Sequence, residues 1–322
     1  MQLHRGLARL RADLHPDAAT VATIGAFDGV HQGHQAVIEQ LLEQGDAHNA
    51  TTVLVTFEPL PREFFAGDHA PARLQSFRER FEAIAAAGVD RLLCLRFNEA
   101  LRTMSAETFA RSIFVDGLGV RSIVLGDDFR FGHDREGDAE FMRRLGVKEG
   151  FEIHPTRTLE LDGERVSSSR LRRALQEADF ELAEALLGRP FSLSGRVIYG
   201  RQLGRTIGAP TANIALRRRA VPLQGVYAVS VDSCDGGPTL SALHGVANVG
   251  VRPTIADTLK PNLEVHLLDR KLDVYGRRLR VSFREKLRSE QRFDSLEELK
   301  AQIDRDRDAA RTFFSDRDFA LS

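Results

Sequence analysis

The sequence predicts two domains of different class: an α/β domain with a parallel sheet, then an all-β domain that ends in a helix. Three observations predict it. The chain has 322 residues, about twice the usual domain length. Its first half alternates short apolar runs with helix-period stretches, the pattern of a parallel sheet covered on both faces. From residue 194 to about 283 the apolar runs follow one another with Gly and Pro between them. That spacing suits an antiparallel barrel or sandwich.

The strand candidates of the first half begin at Thr20, Thr51, Arg91 and Arg121 and run to Ala26, Phe57, Phe97 and Leu125, each rich in Val, Ile, Leu or Thr. Between them Ser76 with Glu79 forms a capping box, and Gly88 ends the helix it opens. Ser105 opens another, whose Phe109 and Ile113 share a face. A helical stretch with Leu175, Phe180, Leu182, Ala183, Leu186 and Leu187 stops at Gly188-Arg189-Pro190. The domain boundary is therefore expected between residues 187 and 188. Beyond it, strands are expected near residues 195–199, 225–231, 242–249 and 262–268. The final helix starts at Ser295 with Glu298 and carries Leu296, Leu299, Ile303, Ala310 and Phe314 on roughly one side.

Composition narrows the function classes. Lys and Arg total 45 against 46 Asp and Glu, a net charge of −1, which argues against a nucleic-acid binder relying on bulk charge. No apolar run reaches the roughly 18 residues of a membrane span, and the N-terminus lacks an apolar signal-peptide centre. Cys94 and Cys234 have no neighbouring ligand pattern and fit buried thiols in a reducing cytoplasm. Only five of the basic residues are Lys, so anion binding falls to Arg or to backbone N–H groups.

Ligands of doubly wound sheets bind at the carboxyl ends of strands. Directly after the first candidate strand comes Gly25-Ala26-Phe27-Asp28-Gly29-Val30-His31-Gln32-Gly33-His34. Gly29 and Gly33 permit close backbone approach, the following helix offers free N–H groups to an anion, and His31 and His34 can donate to phosphate oxygens. The alternative is a pair of surface histidines. A zinc reading lacks a His-Glu-x-x-His frame. Ser167-Ser168-Ser169-Arg170-Leu171-Arg172 opens a helix; it reads as a phosphate site or as an N-cap before a solvated basic face. Phe129 and Phe131, in Gly126-Asp127-Asp128-Phe129-Arg130-Phe131-Gly132, read equally as a ring pocket or as core. Gly200 to Asn213 holds Gly200, Gly204 and Gly208 but no Walker A pattern, and reads equally as a triphosphate loop or a barrel hairpin. Thr211 and Asn213 have the hard oxygen donors Mg²⁺ prefers. Glu264, at the start of an apolar strand, is by spacing alone a solvent-facing residue, with a positioned base as the alternative.

The His-x-Gly-His motif, the Ser-Ser-Ser-Arg-Leu-Arg stretch and the Gly-Asp-Asp-Phe-Arg-Phe-Gly segment resemble the adenylyltransferase half of bacterial bifunctional riboflavin kinase/FAD synthetases, within the HxGH nucleotidyltransferases. Gly208-Ala209-Pro210-Thr211-Ala212-Asn213, the 245–250 segment and Glu264-Val265-His266 resemble their riboflavin kinase half. The likeness runs from about residue 20 to 314. It implies a Rossmann-like nucleotidyltransferase domain (1–187) and a Greek-key kinase barrel (188–322). It further implies riboflavin, FMN, FAD and ATP as ligands, Mg²⁺ at each site, and a monomer or weak homo-oligomer. Carried over, His31 and His34 meet the ATP phosphates, with Gly25, Phe27, Asp28, Gly33, Gly126 and Asp128 around the nucleotide. Ser168, Ser169 and Arg172 meet the triphosphate end. Gly200, Gly204, Gly208, Thr211 and Asn213 hold the kinase nucleotide and its Mg²⁺. Glu264 takes the proton from the ribityl 5′-hydroxyl, and Phe57, Pro59 and Arg288 lie against flavin. Asp128 stands where Asn is frequent in such proteins, and Ser169 where Thr is common.

Overall fold

A computed structural model of the chain describes every residue except 16–17, 200–209, 236–240, 254–258, 270–271 and 321–322; the side chains of 252–260 and 317–320 also lie outside the description. By contact the chain divides into two units, Met1–Pro71 with Phe77–Ser167 and Ala72–Ser76 with Ser168–Ser322.

The first unit is built on six parallel strands, β1 (Gln2–Arg5), β2 (Thr20–Ile24), β3 (Thr51–Glu58), β4 (Arg91–Arg96), β5 (Val120–Leu125) and β6 (Glu152–Pro155), in the order β1-β4-β3-β2-β5-β6. From β2 the chain moves outward through β3 and β4, then crosses back to β5, so the switch point lies at the carboxyl end of β2. Alternation along the central strands feeds two cores. Ala22, Ile24, Val53 and Val55 join Phe109, Ile113 and Phe114 on one face; Val21, Leu54 and Leu92 join Ile38, Leu41 and Ile84 on the other. Strands β1 and β6 escape a search for apolar runs because each has four residues, mostly exposed or half-exposed. The helix Phe77–Ala86 starts after Ser76 and stops short of Gly88, where φ is +95°. Ser105 accepts a hydrogen bond from the Thr108 N–H (3.2 Å) and caps Ala106–Ala110, which continues as a π-helical turn over Arg111–Leu118. Two short strands, β7 (Glu160–Leu161) and β8 (Glu164–Arg165), form a hairpin.

The second unit is a closed antiparallel barrel of β9 (Ser192–Ile198), β10 (Ala212–Ala215), β11 (Gly225–Ser233), β12 (Leu243–Pro253), β13 (Leu259–Leu267) and β14 (Arg278–Arg288), ordered β10-β13-β12-β11-β14-β9. The meander β11-β12-β13 is flanked by β14 and β10, a Greek-key order, and the sandwich alternative falls away. Leu193, Val229, Val249, Leu263 and Val281 point inward and are wholly buried. The helices Ser168–Gln176 and Phe180–Leu187 group with the barrel by contact, Phe180 meeting Tyr227 edge-on at 5.8 Å, although the sequence pattern changes only at Gly188. Ser295 accepts from the Glu298 N–H (3.1 Å) and opens the C-terminal helix, Leu296–Ala320, whose Ala310 and Phe314 pack on Ala228 and Leu268 of the barrel. Leu296 departs from the expected apolar stripe: it is 64% exposed, and the packed residues lie further along the helix. Neither cysteine is in a disulfide among the described residues; Cys94 is buried and Cys234 half-buried.

Candidate active sites

The loop that leaves β2 is strained and held. Phe27 (φ 49°) and Val30 (φ 41°) both adopt the left-handed region, alongside Gly29 at 100°. A β-branched residue there is an outlier that costs about 1–3 kcal/mol and persists only where its surroundings fix it. Here they do. Gln35 donates to the Val30 carbonyl at 3.1 Å. Arg80, 1% exposed, donates to the Ala26 carbonyl at 2.6 Å, the Phe57 carbonyl at 3.1 Å and the Glu58 carboxylate at 3.1 Å, tying the ends of β2 and β3 together. Phe27, Asp28, Val30 and His31 are all buried.

His31 caps the helix Gln32–His48, its Nδ1 accepting from the His34 N–H at 3.3 Å. In a neutral ring that puts the proton on Nε2. The His34 ring stacks on His31 at 3.7 Å and 17°, with Phe27 at 5.0 Å on its flank. Burial, then His31, Arg80 and Arg165, hold the His34 pKa well below its ordinary value, so the ring is neutral at neutral pH. Its Nδ1 is buried and has no hydrogen-bond partner among the described residues. A neutral imidazole with an orphaned nitrogen amid cations is a place for an anionic oxygen.

Gly33 shows why this loop needs glycine. A Cβ there would lie 3.0 Å from the Val166 carbonyl oxygen and 3.3 Å from the His31 ring. Gly33→Ala is therefore expected to displace His31 and to weaken binding of a phosphate-bearing ligand by about tenfold or more, with far-UV dichroism unchanged; wild-type affinity would show that the ring's position is irrelevant. A Cβ on Gly25 would meet the Phe27 ring at 3.0 Å, and one on Gly126 the Asp128 carboxylate at 2.9 Å. Asp128 accepts from Arg165 at 2.9 Å. Phe131 is buried, stacked on Phe129 and packed with Phe109, which decides for core rather than pocket. Ser168 and Ser169 form the first turn of a helix of the second unit, where Arg172 donates to the Ala72 carbonyl at 2.7 Å and the Ser168 carbonyl at 3.3 Å.

At the ends of β3 and β4 four aromatic rings meet. Phe97 touches Phe57, Phe64 and Phe65 at 5.7, 5.3 and 5.7 Å, and Phe65 is 65% exposed. The Glu58–Pro59 bond between Phe57 and Phe64 is cis.

The barrel carries a second constellation. Gly200, Gly204 and Gly208 lie outside the described residues. Asn213 of β10 and Asn248 of β12 both pair in register with Glu264 of β13, so three polar side chains cross adjacent strands in one line. Leu263 and Val265 on either side of Glu264 are buried, which turns its carboxylate to the outside of the barrel. Asn262 donates to Glu264 at 3.0 Å. Thr211 immediately precedes β10, and the His266 ring Nδ1 lies 2.9 Å from the Pro210 carbonyl, pinning this turn to β13. The Asn248 Oδ1 is buried with no hydrogen-bond partner among the described residues. Arg288 grips the buried Asp306 of the C-terminal helix through two nitrogens at 2.8–2.9 Å, its guanidinium 5.8 Å from the Phe293 ring.

The family model described as FAD synthetase matches residues 14–170, and the riboflavin kinase model matches residues 187–314. A bifunctional riboflavin kinase/FMN adenylyltransferase of Pseudomonas fluorescens is 54% identical over 311 residues, 97% of each chain. The chain belongs to this bifunctional family. The Escherichia coli (strain K12) member is 48% identical over 314 residues, 98% of each chain. A crystal structure described as a macrolide-efflux protein from Streptococcus pneumoniae superposes with a TM-score of 0.78 at 27% identity, covering 96% of this chain and 98% of that one. No helix among the described residues is long and apolar enough to cross a membrane.

Several residues of this chain escape a motif search. Arg80 leaves one trace: with Phe77 and Ile84 it falls on the apolar face of its helix, where a charge has to be paired. Phe64, Phe65 and Phe97 come together only when β3 and β4 pair. Asn248 and His266 stand inside motifs that mark the kinase half, yet nothing in their spacing tells which polar atom is left unbonded or which carbonyl is gripped.

Proposed function

We propose that this chain makes FAD from riboflavin in two steps, with kinase chemistry in residues 188–322 and adenylyl transfer in residues 1–187. In the first, the riboflavin 5′-hydroxyl attacks the γ-phosphorus of ATP; its proton passes to Glu264 and ADP leaves. In the second, an FMN phosphate oxygen attacks the α-phosphorus of another ATP, the α–β bond breaks and pyrophosphate leaves. The order of the two family matches carries this reading, FAD synthetase on 14–170 and riboflavin kinase on 187–314.

In the adenylyltransferase, His31 and His34 meet the α-phosphate oxygens, and the orphaned His34 nitrogen supports that role. Gly25, Phe27, Asp28, Gly33, Gly126 and Asp128 surround the nucleotide, and Ser168, Ser169 and Arg172 take the triphosphate end. No covalent intermediate is needed, because positioning and preorganised donors supply the acceleration. Phe57 and Pro59 with exposed Phe65 offer the isoalloxazine ring an aromatic shelf. Phe65→Ala is expected to raise the KM for FMN about tenfold with little change in kcat; an unchanged KM would move the ring elsewhere.

In the kinase, Gly200, Gly204 and Gly208 wrap the nucleotide, and Thr211 and Asn213 suit Mg²⁺. Their hard oxygens beside the Glu264 carboxylate fit that ion, which when bound offsets triphosphate charge. Arg288 orders the flavin-side loop through its grip on Asp306. The same reading makes the protein a cytoplasmic monomer or weak homo-oligomer that works on small molecules, with no nucleic-acid or membrane partner. Incubation with riboflavin, ATP and Mg²⁺, with the flavins resolved by chromatography, should yield FMN first and FAD later. A chain that binds flavin and consumes no ATP would instead be a regulator that has kept the folds.

A further inference from the structure

The helix that begins at the His31 cap ends, seventeen residues on, at His48. Its C-terminus meets the edge strand β6, from which Glu152 and His154 project on one side of the sheet, two residues apart. One ligand atom from each of His48, Glu152 and His154 lies within 4.8 Å of the other two. The Glu152 carboxylate is 3.2 Å from the His154 Nε2. That nitrogen is nevertheless buried and has no hydrogen-bond partner among the described residues, so the pair is close without being bonded.

These distances are within reach of a shared cation. Zinc bonds of about 2.0–2.2 Å in a tetrahedron put ligand atoms roughly 3.3–3.6 Å apart; the Glu152–His154 pair is already near that spacing, and no pair in the cluster exceeds 4.8 Å. Two imidazoles and one carboxylate are the donor set of a borderline divalent ion, not of Mg²⁺, which prefers oxygen alone. The C-terminal end of a helix also favours a cation, because its unpaired carbonyls carry partial negative charge. The helix is about 25 Å long, which separates this cluster from His31 and His34.

We propose that His48, Glu152 and His154 form a divalent-metal site of zinc type, with water in the fourth position, that staples the edge strand β6 to the helix Gln32–His48. Its work is structural. An edge strand of four residues has few contacts of its own, and a metal bridging it to a long helix would restrain its fraying. The fold, not the chemistry at the other end of the helix, is what gains.

The test uses the full chain, stripped of metal and titrated with zinc sulfate against a chromophoric chelator, with thermal midpoints read in parallel. Wild type is expected to bind one ion that His48→Gln and His154→Asn bind at least ten- to hundredfold more weakly, and zinc is expected to raise the midpoint of wild type alone. FAD formation at the wild-type rate in zinc-free buffer containing Mg²⁺ identifies the variants as folded; Glu152→Gln serves in place of any that is not. Equal zinc affinity and equal midpoint shifts in wild type and variants would overturn the site, as would a wild type with no saturable binding.

Discussion

Replacing His34 by Ala is expected to stop FAD formation while FMN still accumulates from riboflavin. Removing a donor aimed at developing phosphate charge costs on the order of 10²–10³ in rate. Here the loss should reach the upper end, because the same side chain stacks on His31 and packs beside Phe27. His31→Ala should match it, since it also removes the helix cap that positions His34. The kinase barrel is a separate unit and should be untouched. Riboflavin turnover falling in parallel, in a variant with native dichroism, would mean that the two activities are wrongly assigned to the two domains. The pH dependence follows from the buried imidazole. Its pKa lies well below the ordinary value of 6.5, chiefly through burial, and phosphate oxygens beside it raise that pKa. ATP binding then takes up a proton, so affinity for ATP rises as pH falls through the raised pKa of the complex. Stability runs the other way: the unfolded chain binds this proton more readily, so the contribution is full above 6.5 and is lost as pH falls through the folded value. His34→Gln should flatten both trends, read by calorimetry and by thermal midpoint.

How far the sequence carries depends on what each element asks of its residues. Central strands buried on both faces need continuous Val, Ile and Leu, so β2, β3, β4 and β5 are legible as apolar runs, while β1 and β6, exposed at the sheet's edges, are not. Caps are local chemistry, and Ser105 and Ser295 both do what a Ser in that position is expected to do. The domain edge is harder. Gly188 ends the last helix before the barrel, with φ at 72°, as a left-handed cap should. Yet local signals cannot say which partner that helix packs on, and by contact it belongs with the barrel. The His-x-Gly-His loop is legible because glycine spacing and histidine type both point to phosphate. Arg80, which holds the Ala26 carbonyl from 54 residues away, is not, because its meaning lies in distances between strands. For the same reason spacing could describe Glu264 as solvent-facing and miss the two asparagines that barrel closure sets beside it.

That juxtaposition makes Glu264→Gln the sharpest experiment on the barrel. The substitution keeps size and the hydrogen-bonding shape of the side chain but removes its capacity to take a proton. If Glu264 is the base, riboflavin phosphorylation should fall by about 10²–10⁴, while supplied FMN is still converted to FAD at the wild-type rate. Glu264→Asp should keep part of the activity, because the carboxylate survives but withdraws by one methylene from Asn213 and Asn248. Binding distinguishes chemistry from collapse of the site: the gripped turn at Pro210 depends on His266 and not on Glu264, so ADP affinity should be nearly unchanged in the Gln variant. His266→Ala should show the opposite split, with nucleotide affinity weakened more than the chemical step once ATP saturates. Normal kinase turnover in Glu264→Gln would remove this carboxylate as base and leave the line of Asn213, Glu264 and Asn248 as a binding surface only.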